Sequence, residues 1–197
     1  MTEQFISGVT DNTPTRLQLD AGVLLSSFDP TSGTVVASNI IGATRGGGSF
    51  SAVPTIHNVA ADGAPTNMKG MDRIDEWVVN LNTTLLEFTP DTIGIAMGVA
   101  PTTSTSGSFT KYIYKNAFAA TDYKDFWWVG ALSSGGKVAI HIKNGVNKSG
   151  LTLTVADKGE GTFPITIVGN YDTTLLADGT APFELYYPTP VTSGTNL

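Results

Sequence analysis

Residues 42–50 read GATRGGGSF, three consecutive glycines beside Arg45 and followed by Ser49 and Phe50. Glycines next to a cation are the composition of a phosphate cradle, in which backbone N–H groups point at the anion. A P-loop, however, needs a lysine and a Ser or Thr after the last glycine, at the start of a helix. No lysine follows here, and SFSAVPTIH beyond the run alternates like a strand. A dinucleotide fingerprint fails as well, because it needs a helix N-terminus aimed at the phosphates. The run therefore reads as a glycine-rich bend between two strands, where glycine permits positive φ or a close backbone neighbour.

Other residues able to do chemistry are sparse. Histidine occurs at His57 and His141 only, on different expected strands. Neither has a second ligand at metal spacing, so a metal site lacks its third and fourth ligands. His141 is expected to face solvent or an interface. Asp72, Asp75 and Glu76 cluster in MDRIDEW, and Asp122 and Asp125 lie further on. Paired carboxylates hydrolyse glycosides when they face each other across a cleft. Asp75 and Glu76 are adjacent on an expected strand and point to opposite faces, so a solvated strand start with Arg73 as partner is the simpler reading. No G-x-S-x-G elbow is present, and GGGSF does not replace one, since its serine lacks the strand-to-helix context. The absence of cysteine excludes disulfides, thiolate metal sites and a cysteine nucleophile. In DFWWVGAL, Trp127 and Trp128 must face opposite ways on a strand. One can join the core; the other can cover the helix, stack on a sugar or anchor a partner.

The elements that would position these residues are mostly strands. In EWVVNLNTTLL, Trp77, Val79, Leu81, Thr83 and Leu85 fall on one face, and Glu76, Asn80, Asn82 and Thr84 on the other. KVAIHIK places Val138, Ile140 and Ile142 inside with His141 and Lys143 outside. LTLTV at 151–155 and TFPITIV at 162–168 alternate too. Pro164 lacks an N–H, so its strand should be at an edge or bulged there. SSGG at 133–136, KNGVNKSG at 143–150, DKGEG at 157–161 and ADGT at 177–180 read as turns. APTTSTSGS at 100–108 reads as a flexible loop or linker. A single short helix is expected over about 90–99, with Thr89 as N-cap, Pro90 at its first position and Asp91 in its first turn. Ile93 and Met97 could pack on one of its faces. The fold class is thus an antiparallel, mostly-β sandwich or barrel-like domain with one flanking helix.

At 197 residues the chain suits one domain, taken here as 16–188, with an N-terminal arm over 1–15 and a C-terminal tail over 189–197. The start, MTEQFISGVTDNTPT, resembles no secretory signal, and no run approaches a membrane span. Charged residues make up 14% of the chain, against about 25% in soluble domains. A sparsely charged surface rich in Thr, Ser, Asn and Gly suits a protein covered by partners or copies of itself. The net charge of -6 opposes tight nucleic-acid binding, which requires Lys and Arg at phosphates, and suits a surface that nucleic acid passes without sticking.

Four segments in order carry a resemblance: LDAGVLLSSFDP; GATRGGGSFSAVPTI; NMKGMDRIDEWVVNLNTTLLEFTPDTI; and GGKVAIHIKNGVNKSGLTLTVADKGEGTFPITIVGNYD passing into PFELYYP. Together they cover most of residues 19–188, and the chain resembles the major tail (tail tube) proteins of long-tailed phages with non-contractile tails, of the Gram-positive-host type. The resemblance implies a virion protein made in the host cytoplasm, with no enzymatic activity and no cofactor. It implies hexameric rings in which long strands join into one barrel around a lumen, and rings stacked into a tube through which double-stranded DNA passes. The implied partners are other copies of the chain, a tape-measure protein, a tail terminator and distal tail or baseplate proteins; no membrane is involved. By analogy the strands at 40–56 and 74–88 wall the lumen, and the 58–70 loop reaches an adjacent ring. Arg45, Ser49, Phe50, Met68, Lys69, Met71, Asp72, Arg73, Asp75 and Glu76 are then the interface or lumen candidates, with Arg45 expected to pair with an acidic residue at a subunit contact. No immunoglobulin-like decoration, which some members of that family carry, is expected after YYPTP. An inner-tube protein of a contractile tail-like particle, a monomeric sugar- or protein-binding module using an exposed tryptophan, and a hydrolase using a carboxylate pair are the alternatives.

Overall fold

The structure, a computed structural model, describes residues 13–63, 65 and 68–189. In chain order its elements are β1 (Gln18–Leu25), β2 (Thr44–Asn58), β3 (Asp72–Leu85), α1 (Pro90–Met97), β4 (Thr102–Ser106), β5 (Phe109–Ile113), β6 (Lys124–Leu132), β7 (Lys137–Asn147), β8 (Phe163–Val168), α2 (Thr173–Asp178) and β9 (Phe183–Tyr186). The fold is mostly β, and every strand pairing is antiparallel. The main sheet runs β1-β6-β7-β8-β3-β2, with β9 also on β7; β4 and β5 form a separate hairpin.

One strand serves both halves of this sheet. The first part of β7, through Ile142, pairs with β6 and β9, whereas Val146 and Asn147 pair with β8. The β6–β7 register shifts between these parts, and Asn144 takes φ +50° there. Such a bulge bends a strand and lets it change sheets. Side-chain bonds hold it: Asn144 N–H donates to Asp125 Oδ1 (3.1 Å), and Asn170 Nδ2 donates to Asn144 O (2.7 Å). The two halves face each other, sandwich-like, over one core. Leu24, Phe126, Ile140 and Ile142 meet Val79, Leu81, Leu85, Phe163, Ile165 and Ile167 there. Each full burial of this kind is worth about 1.5–3 kcal/mol.

The alternation in β3 and β8 therefore has the expected cause, one apolar face on the core. Strand β3 runs 72–85, starting and stopping earlier than the 74–88 expected. Pro164 lies beside β3 only, because β8 meets β7 through Ile167 and Val168; its missing N–H faces an open side of the strand. In β7 the expectation fails for His141, which is buried with 9% of its surface exposed. The outer face of the β1/β6/β7/β9 half is itself covered. Leu25, Trp127, Val129 and Ala139 form a second apolar cluster with Phe28 and Val35 from the segment after β1.

Four further expectations are corrected. LTLTV is not a strand: only a bridge between Thr154 and Thr162 forms, and Leu153 and Val155 are exposed. The expected turn at 143–150 begins only after Asn147, because β7 continues through 143–147. APTTSTSGS is not a linker but most of the β4–β5 hairpin, turning at Gly107 and Ser108. A second helix, α2, takes in the first half of what read as the ADGT turn and ends on its Gly179; it is capped by Asp172, whose side chain accepts from Leu175 N–H.

Helix α1 starts where the sequence marks it. Thr89 accepts from Thr92 N–H, Thr92 Oγ1 accepts from Thr89 N–H, and Pro90 opens the helix. Its buried side is Thr92 and Ala96, with Ile95 packed on the core, rather than Ile93 and Met97, which are half-buried. Gly98 ends it in the left-handed conformation against β7, with Asn147 Nδ2 donating to the Ala96 carbonyl.

Candidate assembly interface

Strands β2 and β3 pair along nearly their whole length, from Thr44↔Leu85 to Asn58↔Asp72. Strand β8 covers only Asn80–Leu85 of β3. Beyond it, Gly169 N–H donates to Val79 O (3.1 Å) and Trp77 N–H donates to the Tyr171 hydroxyl (2.8 Å). From Glu76 to Asp72 that side of β3 has no partner strand among the described residues. On the other side β2 ends the strand order, so its outer edge has no partner strand among the described residues. From Trp77 to Leu85, β3 turns its odd residues toward β8 and its even residues toward β2, so residues 50, 52 and 54 of β2 point their peptide groups outward, and the Val59–Met71 bond shows that residue 56, past the register slip, does the same. Pro54 falls on this outward set, where its lack of an N–H costs no bond within the chain. The result is a two-stranded ribbon that projects past the sandwich with neither edge paired to a further strand among the described residues.

The ribbon is apolar as well as open. Val53 lies opposite Val78, and Ile56 opposite Ile74. These four side chains are between 43% and 58% exposed. Val53 and Val78 are on the face away from the core; Ile56 continues the face of Phe50 and Ala52. A two-stranded ribbon is marginal alone in water, and long open edges template further pairing.

Most of the residues singled out in the sequence lie on this ribbon, at two separate ends. At the far end Val59 N–H donates to Met71 O (2.9 Å) and Met71 N–H to Met68 O (3.0 Å), closing the loop that carries exposed Lys69. Asp72 accepts from Asn58 Nδ2 at 2.9 Å. Asp75 lies where the register slips by one residue, and its carboxylate meets His57 Nδ1 at 2.6 Å; the partner is His57 and not Arg73. Arg73 lies opposite His57, and Glu76 opposite Thr55. No two of these carboxylates face each other across a cleft.

The near end holds Arg45, Ser49 and Phe50, roughly 23–35 Å from His57 at strand rise. The glycine run is neither a phosphate loop nor a bend between two strands, but a bulge inside β2. Thr44 pairs with Leu85 and Gly48 with Thr83, so Arg45, Gly46 and Gly47 together oppose Thr84. Gly46 and Gly47 take φ +76° and +74°, and a Cβ on Gly48 would sit 2.6 Å from Asn82 O. Arg45 Nη1 pairs with Glu160 Oε2 of its own chain at 2.5 Å, both side chains being well exposed. Hydrogen bonding from its own backbone, then from Arg45, holds the Glu160 carboxyl below its ordinary value. Ser49 Oγ accepts from Asn82 Nδ2 at 3.3 Å, and Phe50 packs on Phe183 with ring centroids 5.7 Å apart.

The densest polar cluster lies elsewhere, on the outer face of β6, β7 and β9. His141 Nε2 is 3.0 Å from Asp125 Oδ2 and its Nδ1 is 3.3 Å from Glu184 Oε2. Lys143 Nζ reaches Glu184 Oε1 at 2.5 Å, and the Tyr186 hydroxyl donates to Glu184 Oε2 at 2.5 Å. The Lys143 bond, then the Tyr186 bond, pull the Glu184 carboxyl down to about 2. The bond to Glu184, then burial, push the Tyr186 hydroxyl up to about 12. Trp127 stacks on the His141 ring at 3.9 Å and 5°. With both nitrogens engaged and one face covered, His141 offers a substrate no approach; the cluster clamps β9 to β7. Among the described residues no group of His, Asp or Glu is arranged to hold a metal, and no helix is long and apolar enough to cross a membrane.

Both indoles of DFWWVGAL are occupied. Trp127 is held between His141, Phe28 and Tyr186. Trp128 Nε1 donates to Ala21 O at 3.0 Å, and Gly22 lies against its ring. The expected arm over 1–15 falls outside the described residues except for a 3-10 turn at Thr13–Thr15, as does the tail after Thr189. Residues 64, 66 and 67 of the expected 58–70 loop are likewise outside them. No protein-family model matches the chain, and no curated protein is significantly similar to it in sequence.

Proposed function

We propose that the chain is a structural subunit that assembles through its β2–β3 ribbon into stacked hexameric rings, forming a tube of the kind built by phage tail tube proteins. The observation that carries this reading is the ribbon itself, with two open edges on opposite sides and exposed aliphatic pairs between them. The β2 edge of one copy and the β3 edge of the next are different surfaces, so their contact is head-to-tail and repeats until a ring closes. Closure leaves no edge to template open-ended growth. Ring stacking is assigned to the 58–70 loop, which caps the ribbon's far end. In this reading the tube belongs to a virion and conducts double-stranded DNA, and its sparse cations limit adhesion to phosphate. The tape-measure protein, tail terminator and distal tail or baseplate proteins are its partners, and the subunit is not an enzyme.

Negative-stain electron microscopy of concentrated protein tests the reading. Rings or tubes are expected, and replacing residues 60–69 by a two-residue turn should leave folded subunits that no longer grow into tubes. A protein that stays monomeric at all concentrations, with tryptophan fluorescence responding to glycans, would instead make it a binding module.

A further inference from the structure

Among the described residues the β4–β5 hairpin pairs with no other strand, Thr102–Ser106 meeting only Phe109–Ile113. An isolated two-stranded hairpin is marginal in water and persists by packing on something. Alternation gives it two faces. Thr103 and Tyr112, on one face, line a cavity of about 840 Å³ that α1 lines too. Phe109, Lys111 and Ile113 are on the other face, with Phe109 78% exposed at the tip. Segment 102–115 contains Lys111 and Lys115 and no acidic residue, in a chain of net charge -6. The cavity lining has the opposite sign: Asp91, Asp122 and Asp125 against the single cation Lys124. Asp122 accepts from the Ala100 and Ala119 N–H groups, and Asp125 accepts from the Asn144 N–H and meets His141; among the described residues no Lys or Arg pairs with either. Between the acidic groups the wall is apolar, with Ile95, Val99 and Phe126.

We propose that the hairpin tip of one copy, led by Phe109, docks into the cavity between α1 and the hairpin of a second copy. Charge and shape both fit: a basic hairpin with an aromatic tip meets an acidic, partly apolar cavity of the size that holds drug-sized ligands. The tip and the cavity are different surfaces, so this contact too is head-to-tail. It uses a surface separate from the β2–β3 ribbon. It rests on the self-assembly reading only in taking a second copy as partner.

A photo-cross-linking phenylalanine at position 109 of the full chain, with the same sample imaged by electron microscopy, tests the docking and the assembly apart. Intermolecular cross-links mapping to Ile95, Val99 or Phe126 are the expected result. Rings or tubes whose position-109 cross-links are absent or map elsewhere would overturn the docking and leave the ribbon reading standing. Dimers cross-linked at the cavity, with no ring at any concentration, would support the docking and overturn the ring. In sedimentation velocity, Phe109→Ala should weaken the contact at least about tenfold, the loss expected of a buried aromatic anchor. Lys111→Glu, at an exposed position that leaves folding intact, should weaken it and Asp91→Lys should restore it; an unchanged Lys111→Glu contact overturns the charge match.

Discussion

Ile56→Lys is the perturbation that separates folding from assembly. Ile56 lies opposite Ile74 near the ribbon's far end and is 55% exposed. Full burial of an isoleucine is worth about 1.5–3 kcal/mol, so about 1 kcal/mol is still to be gained when a second copy covers the exposed half. A lysine forfeits that gain and brings an ammonium group whose desolvation in a dry contact costs several kcal/mol. Partial snorkelling to the ribbon's rim returns some of this. A net loss of about 3 kcal/mol per contact remains, more than a hundredfold in its dissociation constant. Within one subunit the change removes one cross-strand aliphatic pair, about 0.2–1 kcal/mol, and places a cation near Asp72, Asp75 and Glu76. Thermal unfolding should therefore move by a few degrees at most while sedimentation velocity shows assembly lost. Wild-type assembly by a folded Ile56→Lys protein would refute the ribbon as the contact.

Glu184 predicts a pH dependence. Its folded carboxyl titrates at about 2 rather than 4.5, so it contributes stability that is present above pH 4.5 and is lost as the pH falls through about 2. The full difference corresponds to about 3 kcal/mol; with the side chain 38% exposed, screening leaves about 1–2 kcal/mol. Urea unfolding should find Glu184→Gln less stable than wild type by that amount at pH 7 and nearly equal to it at pH 2; a gap that persists in acid sinks the assignment. Gly98→Ala should destabilise by at least about 2 kcal/mol, because its φ is +70° and the new Cβ would sit 2.3 Å from Asn147 O. An unchanged melting temperature would show that α1 does not end in that cap.

Legibility in the sequence followed local rules. The α1 start could be read because its signal lies in four consecutive residues, Thr89 to Thr92. Strands β3 and β8 could be read because each has one face on the core. Strand β7 misled at His141, since its second face is covered by residues far away in sequence, Phe28 and Val35, which no alternation reports. LTLTV has the alternation of a strand but pairs only at Thr154, with Thr162, and pairing is a tertiary fact. The β4–β5 hairpin was hidden by composition: Thr and Ser suit both linkers and exposed strands, and the better signal was Gly107–Ser108 between two runs of equal length. The glycine run marked a backbone irregularity, but only the register with β3 makes it a bulge within one strand. Of the interface candidates, the sequence placed both ends of the ribbon; the open edges between them follow from how far β8 extends along β3.

Amide hydrogen exchange of the ribbon, compared between dilute subunits and concentrated protein, tests the central claim most directly. The outward-facing amides of residues 50, 52 and 56, and those on the open side of β3 between 72 and 76, should exchange quickly in the dilute sample and become strongly protected on concentration, with a gap at Pro54, whereas the amides that bond β2 to β3 are protected in both. Fast exchange across both strands at every concentration, or protection arising elsewhere while the ribbon stays open, would contradict it.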